Sequence, residues 1–192
     1  MLVGGAEAVV NLLAIAGFAA SRALSTRTED PKRASRPFDL DRDGFVMGEG
    51  SSVLVLEELN SALARGARIY AELLGFGLSS DAAHITALDP SGESPARAVR
   101  NALADAHIST GDIGYVNAHG TSTAVNDRVE TVACRSVFGE TAEQTPVSST
   151  KSMMGHLIAA AGVTEMIVCL MAIRDNVLPP TINYQNPDPE CD

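Results

Sequence analysis

The order of apolar and polar positions predicts strands alternating with helices. Leu2–Val3, followed by Gly4 and Gly5, reads as the end of a buried strand entering a tight turn, since glycine tolerates positive φ. From about Asn11 to Leu24, Leu12, Ile15, Ala16, Ala19 and Ala23 fall at helical spacing. Ser25 to Arg42 is charged, proline-bearing and poor in apolar residues, which predicts a surface loop. Ser51 to Glu58 is a continuous apolar run, the pattern of a strand covered on both faces. Leu59 to Arg65 reads as a short helix closed by Gly66, and Ile69 to Gly77 as the next strand. Ser94 as N-cap and Pro95 at the first helical position open a helix through ARAVRNALADAHI. Ile113 to Asn117 is a short strand ending at a polar loop, Asp127 to Phe138 a helix, and Pro146 to Ser149 another short strand. Gly155 to Asn176 forms the longest helix, stopped by Pro179 and Pro180.

This alternation predicts an α/β fold with a largely parallel or mixed buried sheet, in which function collects on the loops leaving the strands. A length of 192 residues allows one domain or two small ones. With 45% hydrophobic and 20% charged residues the chain can bury a core and does not read as disordered. A net charge of −10 argues against a nucleic-acid partner, which needs a basic footprint. Three cysteines without a C-x-x-C pattern predict no disulfide framework and a reduced, cytoplasmic setting. The apolar opening lacks a basic start and is interrupted by Glu7 and Asn11, so export is not expected. Gly155 to Ile173 nears membrane-spanning length, but Glu165 and several small residues favour a helix packed in protein, and no membrane partner is expected.

Asp39-x-Asp41-x-Asp43-Gly44 opens like a calcium loop, yet the twelfth position is Gly50 and Glu49 falls one residue early. A turn-rich loop is expected instead, its carboxylates pairing with Arg36 and Arg42 or capping backbone. His119, His156 and Cys134 lack the short separations of a closed metal site, so no metal is expected. His107, near a helix end, reads as structural; His84, in SSDAAHIT, stays open. Asn117-Ala118-His119-Gly120-Thr121-Ser122-Thr123 is a poor core sequence but suits an imidazole and hydroxyls facing a polar ligand. Downstream, Ser148 to His156 sets Lys151 and a second histidine beside a glycine at the mouth of the longest helix. On the residues alone, a two-histidine catalytic site and a pair of structural histidines both stay open.

NAHGTST, SSTKSMMGH with AAAGVTE behind it, RPFDLDRDGFVMGEG and the opening GGAE together resemble β-ketoacyl-[acyl-carrier-protein] synthases, the elongating condensing enzymes of the thiolase superfamily. The resemblance implies a thiolase-like α/β fold, mixed buried sheets with covering helices, that is incomplete here. Residues 1–66 would be the tail of the N-terminal half with a loop insert, and residues 67–192 a truncated C-terminal half. It implies catalytic roles for His119, His156, Lys151 and Glu165. It also implies phosphopantetheine contacts at Thr121, Thr123 and Thr86, acyl-pocket positions at Phe18 and Ala14, and a carrier-protein contact at Arg22. Glu165 lies nine residues after His156, about two and a half helical turns, so any contribution it makes is expected to be indirect.

The implied reaction is a decarboxylative Claisen condensation of an acyl thioester with malonyl-acyl carrier protein, in fatty acid or polyketide synthesis. No cofactor is implied, because the substrates ride on the phosphopantetheine of acyl carrier protein, and the full-length enzyme would be a homodimer. The family's nucleophilic cysteine precedes its GGAE strand and a GFGG-type segment follows the point matching Asp192. The chain is therefore expected to be a fragment, with none of Cys134, Cys169 or Cys191 as nucleophile. Two readings compete. A non-catalytic partner resembling chain-length factors would have no chemical use for His119, His156 and Lys151. A thiolase proper would not pair NAHGTST with KSMMGH.

Overall fold

In the computed structural model, which describes residues 1–85 and 87–192, the opening glycines continue a strand instead of ending it. Strand β1 (Leu2–Glu7) pairs antiparallel with β2 (Gly50–Val55), Gly4 opposite Val53 and Gly5 opposite Ser52. Gly5 answers to close approach: a Cβ there would stand 2.7 Å from the Ala159 carbonyl oxygen, in a 3-10 turn (Ile158–Ala160) laid against the strand. Strand β2 alternates half-buried and exposed positions, which corrects the expectation of cover on both faces; Val53 and Val55 stand open within this chain.

Helix α1 (Leu12–Ala20) is shorter than its apolar spacing implied. The Asn11 side chain accepts the Ala14 N–H at 3.1 Å, and the helix stops at Ser21, with Arg22 left-handed at φ 56°. Helix α2 (Leu59–Ala64) is capped by Glu58, which accepts the Ser61 N–H at 2.8 Å. Helix α3 (Glu93–Ala106) begins before Ser94. Its cap is Gly92, so Ser94 and Pro95 lie inside the first turn, and His107 closes the other end with φ 56°. Helix α4 (Ala124–Phe138) starts on the Thr123 hydroxyl, three residues before the expected Asp127. Strands β3 (Val116–Asn117) and β4 (Val147–Ser148) form a short parallel pair.

Two expectations fail outright. Ile69 to Gly77 forms no strand among the described residues. It lies along α3, where the Phe76 N–H donates to Asp105 at 3.1 Å and the Asn101 amide donates to the Leu78 carbonyl at 3.3 Å. The long helix expected from Gly155 to Asn176 is broken into α5 (Lys151–Met154), the 3-10 turn and α6 (Ala161–Asp175). Gly155 adopts φ 74°, and His156 is drawn out of helix into a parallel bridge with Met47.

The segment read as a surface loop turns inward. Ala34, Ser35, Arg36, Asp39 and Arg42 are buried, and the three charges among them are paired. Asp39 accepts the Arg36 guanidinium at 2.8 Å and the N–H groups of Asp41, Gln185 and Asn186 at 2.9, 2.7 and 2.8 Å. Arg42 donates to Asp188 at 2.5 Å and to the carbonyls of Asp39, Thr123 and Ala124. Asp43 takes Ser25 and Thr26, and Asp41 takes the Asn186 amide. The carboxylates of the aspartate-rich motif are thus engaged by arginine, hydroxyl and backbone donors.

An apolar cluster of Leu157, Ala160 and Ala161, with Met154 against it, anchors the turn behind His156. Elsewhere buried apolar residues such as Phe45, Val129 and Phe138 share the interior with polar ones, and Lys151, Asp39 and Asp127 are among the largest fully buried side chains. Among the described residues no helix is long and apolar enough to cross a membrane.

Candidate active site

Strand β3 ends at Asn117, and the chain then turns under the control of α4. Both oxygens of Glu130 accept backbone N–H groups, from His119 at 2.6 Å and from Gly120 at 2.7 Å. Gly120 has φ 38°, and a Cβ there would meet the Ser149 Cβ at 2.4 Å, so only glycine fits. Ser149 in turn donates its hydroxyl to the Gly120 carbonyl at 2.7 Å. Two residues on, Ser122 is also left-handed, with its N–H on Asp127 at 3.2 Å and its hydroxyl accepting the Arg36 N–H at 3.0 Å. Asp127 also accepts the Phe38 N–H at 2.9 Å, which ties this turn to the buried loop.

The second histidine is held by backbone. The His156 N–H donates to the Val46 carbonyl at 2.7 Å, and its carbonyl accepts the Gly48 N–H at 2.9 Å. Its ring meets the His119 ring edge-on, centroids 5.2 Å apart. Phe45 also packs on His156 at 5.4 Å, and Phe18 packs on Phe45 at 5.3 Å. Two imidazoles far apart in sequence thus complete a row that begins on α1.

The protonation states follow from the surroundings. The Ile158 N–H donates to His156 Nδ1 at 3.1 Å, so the neutral ring carries its proton on Nε2 and can donate it outward. Burial, then the Lys151 charge, pushes the His156 pKa from 6.5 down to about 4. His119 keeps solvent-exposed surface, yet burial is again the largest cause, with Lys151 and His156 adding to it, and its pKa also falls to about 4. Lys151 is 1% exposed and pairs with Glu165 at 2.5 Å. Burial raises the Glu165 pKa and the Lys151 charge opposes that rise. Lys151 is fixed at its backbone too: Ser35 donates to its carbonyl at 2.6 Å, and its N–H meets the Ser149 hydroxyl at 3.3 Å.

The structure therefore brings His119, His156, Lys151 and Glu165 into one cluster, with Glu165 joined to it by its ion pair with Lys151. Thr121 is buried and its hydroxyl lies 2.9 Å from that of Thr123, which caps α4. Phe18 joins the aromatic row, while Ala14 lies one turn before it on α1, half-buried. Arg22 is exposed at the exit of α1. Thr86 lies outside the described residues. Sequence reasoning missed Glu130, Asp127, Phe45 and Ser149. The readable signal for Asp127 was its place in the first turn of α4, directly after the histidine loop, where a helix start favours carboxylates.

Adjacent neutral imidazoles that present N–H groups to one point can stabilise an oxygen on which negative charge develops. They also carry a stability signature. Histidine titrates near 6.5 in an unfolded chain and these two near 4, so the unfolded chain binds more protons between those values. Stability should therefore fall as pH drops from 6.5 to 4. The urea midpoint is expected to be lower at pH 5 than at pH 7, and the difference should shrink in His119→Gln and His156→Gln. An unchanged difference in both variants would contradict the burial of neutral rings.

Known proteins resemble this chain from end to end. Residues 1–62 match the family profile described as beta-ketoacyl synthase, N-terminal domain, and residues 70–185 match beta-ketoacyl synthase, C-terminal domain. The chain is 55% identical over all 192 residues to 3-oxoacyl-[acyl-carrier-protein] synthase 2 of Synechocystis sp., and 52% identical to the Coxiella burnetii protein of that name. It covers 46% of each, so it spans about half the length of these curated relatives. Among solved structures, a type II PKS acyl-carrier protein in complex with its ketosynthase bound to the hexaketide superposes with a TM-score of 0.97 at 46% identity, over 100% of this chain and 47% of that one. A beta-ketoacyl synthase from Burkholderia phymatum gives 0.93 at 45% identity, over 100% and 46%. The mixed helix-and-sheet architecture is accordingly part of a thiolase-like fold. With profile matches over both segments and identity above half along its whole length, this chain belongs to the beta-ketoacyl synthase family.

Proposed function

We propose that this chain supplies the histidine–lysine side of a decarboxylative Claisen condensation, in which malonyl-acyl carrier protein extends an acyl thioester in fatty acid or polyketide synthesis. The observation that carries the reading is the edge-on contact of His119 and His156 at 5.2 Å, with the Nε2 proton of His156 fixed by the Ile158 N–H. When malonyl loses carbon dioxide, the electron pair of the broken C–C bond moves toward the thioester carbonyl, giving an enolate. Two imidazole N–H groups would stabilise its oxygen, and the enolate carbon would then attack the acyl thioester. Thr121 and Thr123 would steady the phosphopantetheine arm, Phe18 and Ala14 would border the acyl chain, and Arg22 would face the acidic carrier protein. Lys151, held by Glu165, would keep both rings neutral. The boundary of the two thiolase-like halves would fall near residues 66–67. A chain-length-factor-like partner without chemistry is disfavoured by this cluster, which such a subunit would not need.

The direct test is carbon dioxide release from malonyl-acyl carrier protein. It would be measured on this chain and on the chain joined to the complementary half of the Synechocystis relative. Changing His119 or His156 to Ala should each slow release by ~10²-fold or more, as for loss of one oxyanion donor. Equal rates in the variants would end this reading.

We also propose a cytoplasmic homodimer that uses the free edge of β1. Among the described residues that strand pairs only with β2, and Met1 and Leu2 are 79% and 75% exposed. An open apolar edge invites strand pairing. Light scattering should show association rising with concentration, and a strictly monodisperse monomer at high concentration would count against it.

A further inference from the structure

The last residues of the chain run along α4 in register. Glu190 meets Arg128 at 3.3 Å, and the Arg135 Nε donates to the Asp192 carbonyl at 2.7 Å. Between them, the Cys191 thiol contacts Asp188 at 3.7 Å and has the Thr131 hydroxyl beside it. Arg128, Thr131 and Arg135 lie on one face of α4, and Cys134 is one turn beyond Thr131 on the same side. Cys134 and Cys191 both line a cleft of about 760 Å³, together with Tyr115, Phe138 and Tyr184. Helix neighbours three apart have Cβ atoms ~5–6 Å apart. A disulfide spans Cα atoms ~4.4–6.8 Å apart. Cys191, beside Thr131, and Cys134, one helical turn further along that face, thus open into the same cleft. The third cysteine, Cys169, is on α6 beside Tyr115 and Glu165 and does not line the cleft.

From this register we propose that Cys134 and Cys191 form an intramolecular disulfide under oxidation, latching residues 187–192 onto α4. With hydrogen peroxide, one thiolate takes an oxygen to become sulfenic acid as the O–O bond breaks and the first water leaves. The second thiolate attacks that sulfur, the S–S bond forms and the second water leaves. In total, two thiols give up two protons and two electrons, and the peroxide is reduced to two waters. Burial pushes both thiols up to about 11, so the attacking thiolate is scarce near neutrality. The latch therefore closes slowly at pH 7 and faster at each higher pH, approaching a plateau near 11. Nothing in it depends on the proposed condensation.

The test is to oxidise the chain with hydrogen peroxide, block residual thiols with N-ethylmaleimide and map tryptic peptides. Free thiols should fall from three to one. A single Cys134–Cys191 cross-link should account for the loss, with Cys169 alkylated. Its rate should rise with pH, and amide exchange at residues 187–192 should slow until reduction restores it. Cys169→Ser should cross-link as before, whereas Cys134→Ser and Cys191→Ser should not. Separate sulfinic acids at the two positions, a link through Cys169, or covalent dimers would each overturn the proposal. These readouts come from the parent chain, so a variant that fails to fold does not shelter it.

Discussion

Incubated alone with acyl- and malonyl-acyl carrier protein, the 192-residue chain should make no β-ketoacyl product above background. Transfer of the acyl group through a covalent thioester needs a thiolate held beside the two imidazoles. The ring contacts of His119 and His156 are with each other and with Phe45. Cys134 and Cys191 look instead into the cleft between α4 and the C-terminal segment, and Cys169 sits on α6. Burial raises all three thiols, Cys134 and Cys191 to about 11, which leaves roughly one thiolate in ten thousand at pH 7. Mass spectrometry of the carrier-bound products reads the result directly. Robust product that disappears when one of these cysteines becomes Ala would show that this assignment is wrong.

Asp39→Ala should be the most destabilising single change in the buried loop. The carboxylate is fully buried and answers four donors: one guanidinium and three backbone N–H groups. Removing it leaves Arg36, itself 4% exposed, with only the more distant Asp41 carboxylate at 3.9 Å, which by analogy with broken buried pairs costs about 3 kcal/mol. For a chain of this size that is a drop in Tm on the order of 10 °C. Asp30→Ala removes only an exposed partner of Arg33 at 3.6 Å and should cost under about 1 kcal/mol. Burial alone would raise the Asp39 pKa, but Arg36 and the amides of Asn186, Gln185 and Asp41 outweigh it, so the value falls from 3.8 to about 2. A depressed carboxylate stabilises the fold fully above its unfolded pKa and loses that effect as pH falls through 2. The Asp39→Ala variant should therefore lie closest to the parent in strong acid. Melting curves for the two variants would decide the matter, and equal losses would sink the argument.

The local pattern carried the helices well and the strands poorly, for a physical reason. Helices α3 and α4 have amphipathic spacing and local caps, so their cores are readable from neighbours in sequence, with ends misplaced by a few residues. The run from Ile69 to Gly77 has strand composition, but a strand exists only through a partner, and among the described residues it has none. Gly155 to Asn176 looked like one helix because every residue there is helix-compatible. What breaks it is Met47, which takes His156 into a bridge no local signal announces. For the buried loop the pairing of its carboxylates with Arg36 and backbone was legible, but its burial was not. Charge density marks surface unless each charge has a partner, and Asp188, Gln185 and Asn186 come from the other end of the chain. At the site, the two histidines and the lysine stood out because polar residues clustered at strand ends. Glu130 did not, since an acid on a helix resembles any solvated position until its partners are known.

The clamp between the buried loop and the chain's end also orders events in time. Ser35 binds the Lys151 carbonyl across 116 residues, and Arg42 reaches Asp188 across 146. Contacts of such separation are closed late, because the entropy of the loop must be met before they form. During synthesis His119 leaves the ribosome with its supporting Glu130 only 11 residues behind, so its turn can be set early. His156 has no seat until Val46 and Gly48 return to it from the far side of the chain. The two imidazoles should thus acquire protection in sequence, the first with α4 and the second only with the final closure of the loop. A ribosome-bound intermediate would then hold one finished half of the pair and one still waiting for its frame.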